Sequence, residues 1–329
     1  MIGKGRWLLA VLAVALFAVA GCGADEQAGE QQGGEGGLAD RGDIRIVMVT
    51  HGPPADPFWS VVKNGADQAA ADLGVEFEYR SPEAFDVVEI QRNLEAAIAS
   101  EPDGLAVSVP DPDALGPLVQ EAVEKGIPVV MLNAGREDWE EFGALTYIGQ
   151  TEYEAGVAAG ERMAGEGVTN ALCINHQQGV QTLDQRCSGF EEGLGGTVEQ
   201  VAVDGNDPTA ARSGIQTALR QNPDANGMLT LGPAGANPAL QALEGADVGE
   251  DFVFGTFDLS PEILQAVADG QVLFAIDQQQ FLQGYLPVLY LTQYVQYGLR
   301  PVGEVPTGPA FVTQETAEEV IELSRQGIR

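Results

Sequence analysis

Short, continuously apolar runs alternate with amphipathic stretches of helical period along almost the whole chain, and this alternation restricts the fold more than any other feature. Ile44-Arg45-Ile46-Val47-Met48-Val49 is a β-branched run that ends in the polar turn Thr50-His51-Gly52-Pro53-Pro54. From residue 57 to 73, Phe58, Val61, Val62, Ala66, Ala69, Ala70 and Leu73 share one helical face, and Gly74 stands where a left-handed C-cap would close it. The unit recurs, with strands expected at 75–79, 104–109, 127–132 and 145–148 and helices at 87–100, 113–125 and 152–163. Past Gly165 strands are expected at 170–175, 198–203, 227–231, 252–257 and 271–276, with helices between them and two more at 279–297 and 313–326.

Strands that are apolar throughout and separated by amphipathic helices form parallel sheets covered on both faces. About ten such units are too many for one compact sheet, so the pattern predicts an α/β fold of two doubly wound parallel-sheet lobes. Ligands of such sheets bind outside the carboxyl ends of the strands, which directs attention to the residues that follow them. These are His51, Asp56, Phe58 and Trp59 after the first strand, Pro110 and Asp111 after the third, and Asn133 after the fourth. Later strand ends contribute His176, Gln177 and Arg186, then Gly232 with Pro233, Phe257 with Asp258, and Asp277 with Gln278. Aromatic faces with carboxylates, amides and a guanidinium suit a small polyhydroxylated ring, whose C–H face stacks while its hydroxyls donate and accept. Asp56 also reads as the N-cap of a helix opened by Pro57, and Asp111 and Asp113 read as helix-entry residues, with Asp113 favoured as the cap. Phe58 and Trp59 point about 100° apart on a helix, so burial of both inside one lobe is not expected.

The N-terminus carries a second kind of information. Lys4 and Arg6 precede an uncharged apolar run from Trp7 to Val19, too short to span a bilayer comfortably, which closes in Val19-Ala20-Gly21-Cys22. Residues 1–21 are therefore expected to be a cleaved signal peptide, and Cys22 the acylated first residue of an exported, membrane-tethered protein. Residues 22–42 are Gly, Glu, Gln and Asp with almost nothing apolar, the composition of a disordered tether. Removing the first 21 residues, which hold Lys4 and Arg6 and no acid, takes the net charge from −33 to −35. So acidic a chain argues against nucleic acid or an anionic lipid surface as partner, leaving the membrane to be reached through the lipid anchor alone.

Catalysis and metal binding find little support. No Gly-x-Ser-x-Gly elbow, Walker loop, His-Glu-x-x-His pair or Gly-x-Gly-x-x-Gly turn is present, and the chain has two histidines. Neither an enzyme nor a cofactor is expected. Cys173, His176 and Cys187 with Asp184 match no common zinc spacing, so no metal is expected. An exported location permits a Cys173–Cys187 disulfide instead, although a strand and its facing helix usually lie farther apart than the ~6 Å Cα separation such a bond needs.

Asp56-Pro57-Phe58-Trp59 resembles the Asn/Asp-Pro-Phe-Phe/Trp segment of the type 1 periplasmic sugar-binding proteins, the ribose-binding-like group. Gly104-Leu105-Ala106-Val107, Gly126-Ile127-Pro128-Val129-Val130, Gly255-Thr256-Phe257-Asp258 and Ala275-Ile276-Asp277-Gln278 are similar to that group in the same order, from Asp43 to Arg329. The resemblance implies a substrate-binding protein, acting as a monomer, that delivers a sugar or polyol to the permease of an ABC importer. It implies three chain crossings, near 149–152, 277–280 and 306–310, between lobe 1 (43–149 plus 279–307) and lobe 2 (150–278 plus 308–329). It casts Phe58 and Trp59 as stacking residues, with Asp56 beside them, and Arg186, Phe257, Asp258 and Gln278 as the second-lobe and hinge contacts. His176 joins the set by position alone. Asn133-Ala134 stands where the group often has Asp-Arg, and Gly232 where many members have Asn, which disfavours an ordinary aldopentose. The same fold also serves receptors that present a bound sugar or an autoinducer-2-like signal to a membrane sensor.

Replacing Cys22 by Ser is expected to move the protein from the membrane fraction to the medium or periplasm. Fractionation that finds the wild-type chain soluble, with an unmodified N-terminus elsewhere, would remove the lipoprotein reading.

Overall fold

In the computed structural model, residues 40–53, 55–249 and 251–329 are described, and the expected signal peptide, Cys22 and most of the expected tether lie outside them. The first sheet takes β1 (Arg45–Val49), β2 (Glu76–Arg80), β3 (Gly104–Val107), β4 (Val129–Leu132) and β5 (Tyr147–Gln150). Between its first four strands run α1 (Pro57–Leu73), α2 (Val87–Ala99) and α3 (Pro112–Glu124). The chain then crosses through α4 (Glu152–Gly165) into β6 (Asn170–Asn175), α5 (Gln181–Leu194), β7 (Thr197–Ala202), α6 (Pro208–Gln221) and β8 (Gly227–Thr230). There follow α7 (Pro233–Leu243), β9 (Val253–Phe257), α8 (Pro261–Ala268) and β10 (Phe274–Asp277). It returns through α9 (Gln280–Tyr297) to β11 (Val305–Gly308) and ends in β12 (Ala310–Val312) and α10 (Ala317–Arg325).

The two six-stranded sheets have the orders β11-β5-β4-β3-β1-β2 and β12-β10-β9-β8-β6-β7. Every pairing is parallel except β10 with β12. Because β1 lies between β2 and β3, and β6 between β7 and β8, each sheet reverses its winding at its first strand. That reversal opens a crevice at the carboxyl ends. Each sheet is buried on both faces, and each face has its own apolar cluster. The continuous apolar runs exist to fill these four layers.

Several boundaries differ from the sequence expectation. Residues 305–308 and 310–312 are edge strands, and the last helix starts at Ala317 rather than residue 313. In Val-Pro-Thr-Gly the Pro and Gly offset the strand preference of Val and Thr, and pairing with β5 as an edge strand decides the matter. The strand expected at 271–276 begins at Phe274, after a turn at Gly270 in the left-handed region. The one expected at 145–148 runs from Tyr147 to Gln150. Asp111, not Asp113, caps α3 and accepts from the amide of Ala114, because Pro112 opens the helix. Arg186 lies in the second turn of α5 rather than at its start. Residues 40–42, assigned to the tether by composition, already form the cap and opening of a 3-10 turn at Arg41–Asp43.

Two helix pairs approach unusually closely, α1 with α9 and α4 with α5. A Cβ on Gly156 would lie 2.3 Å from the carbonyl oxygen of Arg186, and one on Gly189 would lie 2.0 Å from that of Tyr153. Glycine is thus required on both helices for α5 to lie against α4 at this distance. Beneath them Cys173 of β6 and Cys187 of α5 are joined by a disulfide with a Cα separation of 5.9 Å. Gly189→Ala is expected to lower stability by about 1–3 kcal/mol through overpacking, read as a fall in the thermal midpoint. An unchanged midpoint would show that the two helices can separate without loss.

Candidate binding site between the sheets

Residues following β1, β4, β6, β8, β9 and β10 converge on one cavity, and eight of the nine expected ligand-contact side chains line it. They are Asp56, Phe58, Trp59, Asn133, His176, Arg186, Asp258 and Gln278. The cavity holds about 70 Å³, room for roughly five waters at about 10–15 Å³ each. That is room for a small molecule rather than a polymer chain. Phe257 is the exception. It is fully buried in the core of the second sheet, and its ring lies 4.5 Å below the Arg186 guanidinium. Phe257, the last residue of β9, supports Arg186 from beneath, while Asp258, past the strand end with a left-handed backbone, turns to the cavity.

The aromatic wall comes from the start of α1. Asp56 caps the helix, its Oδ1 accepting from the amides of Phe58 at 2.8 Å and Trp59 at 3.3 Å, with Pro57 in the first turn. It therefore serves as cap and cavity wall at once, and burial raises its pKa against the pull of those two amides. Phe58 and Trp59 are both buried, contrary to the helical-wheel expectation, and meet edge to face at 5.0 Å. The indole lies across Gly52, where a Cβ would fall 2.0 Å from its Nε1, and His51 meets it edge-on at 4.7 Å.

Across the cavity runs a chain of buried hydrogen bonds that joins the two sheets. Asn133 and Asp258 end equivalent strands in the left-handed region, each with φ of 63°, and Gln279 has φ of 55°. Asn and Asp tolerate that conformation better than other side-chain-bearing residues, and it turns their polar groups inward. Asn133 Nδ2 donates to Gln278 Oε1 at 3.4 Å and to Gln283 Oε1 at 3.1 Å. Gln278 Nε2 donates to Asp258 Oδ1 at 2.6 Å, and Arg186 Nη1 donates to Asp258 Oδ2 at 3.4 Å. Arg186 is then gripped from its other side by Glu152, with Nε 2.5 Å from Oε2 and Nη2 3.1 Å from Oε1, while Nη1 also donates to the Leu231 carbonyl at 2.7 Å.

Three contributors were absent from the sequence reading: Glu152, Gln283 and Gln150, whose Nε2 donates to Glu152 Oε2 at 2.8 Å. Glu152 had a partial signal, as an acid in the first turn of a helix at a chain crossing, but first-turn acids are common for helix-dipole reasons alone.

Burial sets the protonation of the site. His51 is pushed down to about 3 and His176 to about 4, by desolvation first and the Arg186 charge second, so both imidazoles are neutral at ordinary pH. Burial raises Asp258 to about 7, against the opposing pull of Arg186 and the Gln278 hydrogen bond. Arg186 is raised above its ordinary value because Glu152 and Asp258 outweigh its own desolvation. Between about pH 4 and 7 the folded protein holds a proton on Asp258 that the unfolded chain has released, so this group lowers stability as pH rises through that window. Asp258→Asn, which does not titrate, is expected to gain in thermal midpoint over wild type as pH goes from 4 to 7. A difference that stays flat or shrinks would show that Asp258 titrates normally.

A family model described as a periplasmic binding protein domain matches residues 46–299. Among curated proteins, the chain is 28% identical over 300 residues to the xylose/arabinose-binding protein XylF of Sulfolobus acidocaldarius, covering 85% of this chain and 74% of that protein. Among solved structures it is similar to a carbohydrate transporter from Acidothermus cellulolyticus in complex with myo-inositol, at 36% identity and a TM-score of 0.83, covering 87% and 99% of the two chains. A periplasmic sugar-binding protein of an ABC sugar transporter from Legionella pneumophila matches at 27% identity and a TM-score of 0.75, covering 80% of this chain and 99% of that one.

Proposed function

The chain belongs to the periplasmic binding protein family, and on that premise we propose that it captures a sugar, polyol or sugar-like solute outside the cytoplasm and delivers it to an ABC importer. The observation that carries this reading is the hydrogen-bonded chain Asn133–Gln278–Asp258–Arg186, which lines a small cavity opposite Phe58 and Trp59. A pyranose or cyclitol ring presents a C–H face to the aromatic wall. Its hydroxyls donate to Asp258 and to the amide oxygens, and accept from the amide N–H groups. Similarity to proteins whose names carry xylose, arabinose and myo-inositol supports a small polyhydroxylated ligand, with Asn133-Ala134 and Gly232 weighing against an ordinary aldopentose within that class.

The aromatic wall belongs to the first sheet and Arg186 to the second, so a ligand touching both draws the two bodies together. Residues 43–149 with 279–307 form one moving lobe in this reading, and 150–278 with 308–329 the other. Closure by rotation about the crossings gives a permease a means of telling loaded protein from empty. Acylation at Cys22 keeps the protein beside that permease, and the acidic tether provides reach.

A thermal-shift screen of D-xylose, L-arabinose, D-ribose, D-glucose and myo-inositol tests the proposal. At least one is expected to raise the melting temperature, since a ligand at a hundredfold excess over its Kd adds about 2.7 kcal/mol. Asp258→Ala is expected to weaken binding of that ligand roughly ten- to a hundredfold, the loss of a charged hydrogen-bond partner worth about 1.5–3 kcal/mol. Failure of the whole panel and of related polyols to shift the wild-type protein would overturn the sugar-binding reading.

A further inference from the structure

Arg186 is the one side chain with a full positive charge among the described residues of the cavity wall. A buried guanidinium facing a ligand cavity is ordinarily the natural receptor for a carboxylate or phosphate, because its planar fork matches both. Here the fork is already occupied. Nε and Nη2 grip the two oxygens of Glu152, Nη1 is shared between the Leu231 carbonyl and Asp258, and the ring of Phe257 lies against its plane. We propose that Glu152 is a specificity-determining residue, which by holding Arg186 in a two-pronged ion pair withdraws it from anions and restricts the cleft to uncharged ligands. The inference rests on the sugar-binding reading above and adds the charge class of the ligand.

Charge balance supports it from every side of the cavity. Glu152 cancels Arg186 by itself, and Asp258 and Asp56 can only add negative charge. Both imidazoles, His51 from the first sheet and His176 from the second, are neutral. An anionic ligand therefore meets a site that is neutral or negative whatever the state of Asp258, in surroundings with little water to screen the repulsion.

Glu152 is built for this role. It begins α4, where a helix N-terminus favours a carboxylate, it receives a hydrogen bond from Gln150, and it is buried along with Arg186. The glycine-lined crossing of α4 and α5 brings the two residues together, since Gly156 makes room for the Arg186 backbone itself. Glu152 does not line the cavity among the described residues, so it acts on the ligand through Arg186 and is a positioning residue.

The test is calorimetry with matched pairs that differ in charge: D-glucose against D-glucuronate, D-galactose against D-galacturonate, and myo-inositol against its monophosphate. Wild type is expected to bind the neutral member of any pair it recognises at least a hundredfold more tightly than the anion. Glu152→Gln keeps the size and one acceptor oxygen while freeing the Arg186 charge, and is expected to reduce that preference at least tenfold. Glu152→Asp, which keeps the charge, is expected to retain the wild-type preference, an outcome a merely structural role would not produce. Comparable wild-type affinity for the neutral and anionic members of a pair would overturn this inference while leaving the sugar-binding reading intact. So would a folded Glu152→Gln variant with an unchanged preference. Should Glu152→Gln not fold, a wild-type ratio near one still overturns the inference, and a folded Glu152→Asp variant that loses the neutral preference overturns it as well.

Discussion

A guanidinium with almost no access to water, held between two carboxylates, is the interaction on which the rest of this structure turns. Arg186 is 3% exposed, Glu152 and Asp258 4% each, so none of the three ionisable groups is solvated in the ordinary way. Removing such charges from water is expensive, and their mutual attraction compensates only when every remaining donor and acceptor finds a partner. Arg186 meets that condition through Glu152, Asp258 and the Leu231 carbonyl, and Asp258 meets it through Gln278. The group is better understood as a device for placing polar atoms at a cavity than as a source of stability, since buried ion clusters seldom stabilise a fold more than apolar packing would.

Its geometry depends on backbone packing some distance from any charge. Glu152 belongs to α4, Arg186 to α5 and Asp258 to the end of β9, three elements widely separated along the chain. Gly156 and Gly189 let α4 and α5 approach until backbone touches backbone, which brings the guanidinium onto the carboxylate. Phe257 supports it from below, and the disulfide ties α5 to the strand it covers. The first sheet repeats the arrangement where Gly65 and Gly284 join α1 to α9, and α1 carries the aromatic wall. In both halves a glycine-mediated helix contact fixes the depth at which the functional side chains stand.

Much of the site was legible because strand ends in a parallel sheet are predictable from apolar runs. Asp258 and Gln278 directly follow or end such runs, and Asn133 follows another, so the topology alone brings them together. Phe257 shows the limit of reading by adjacency. Phe257 is the last residue of β9 and packs into the core, whereas Asp258 leaves the strand through a left-handed turn that the apolar run does not reveal. Phe58 and Trp59 show the opposite limit. Helical geometry separates their directions, yet both are buried because the cavity and the body of the first sheet together cover more than one face of α1.

What the sequence determined by itself was the local order: which segments are strands, which are helices, that two sheets must form, and which turns carry polar residues. Those properties follow from the period of apolar residues and from caps such as Asp56 and Gly74, which act over a few residues. Tertiary structure decided that Val305–Gly308 and Ala310–Val312 are strands, because segments of three and four residues broken by Pro306 and Pro309 give no readable alternation, and edge pairing with β5 and β10 sets them. It decided equally that Glu152, an ordinary first-turn acid in the sequence, is the partner of Arg186, 34 residues away. No local pattern encodes that pair, since the distance between the two side chains is set by how closely two helices cross, and closeness of crossing is a property of packing.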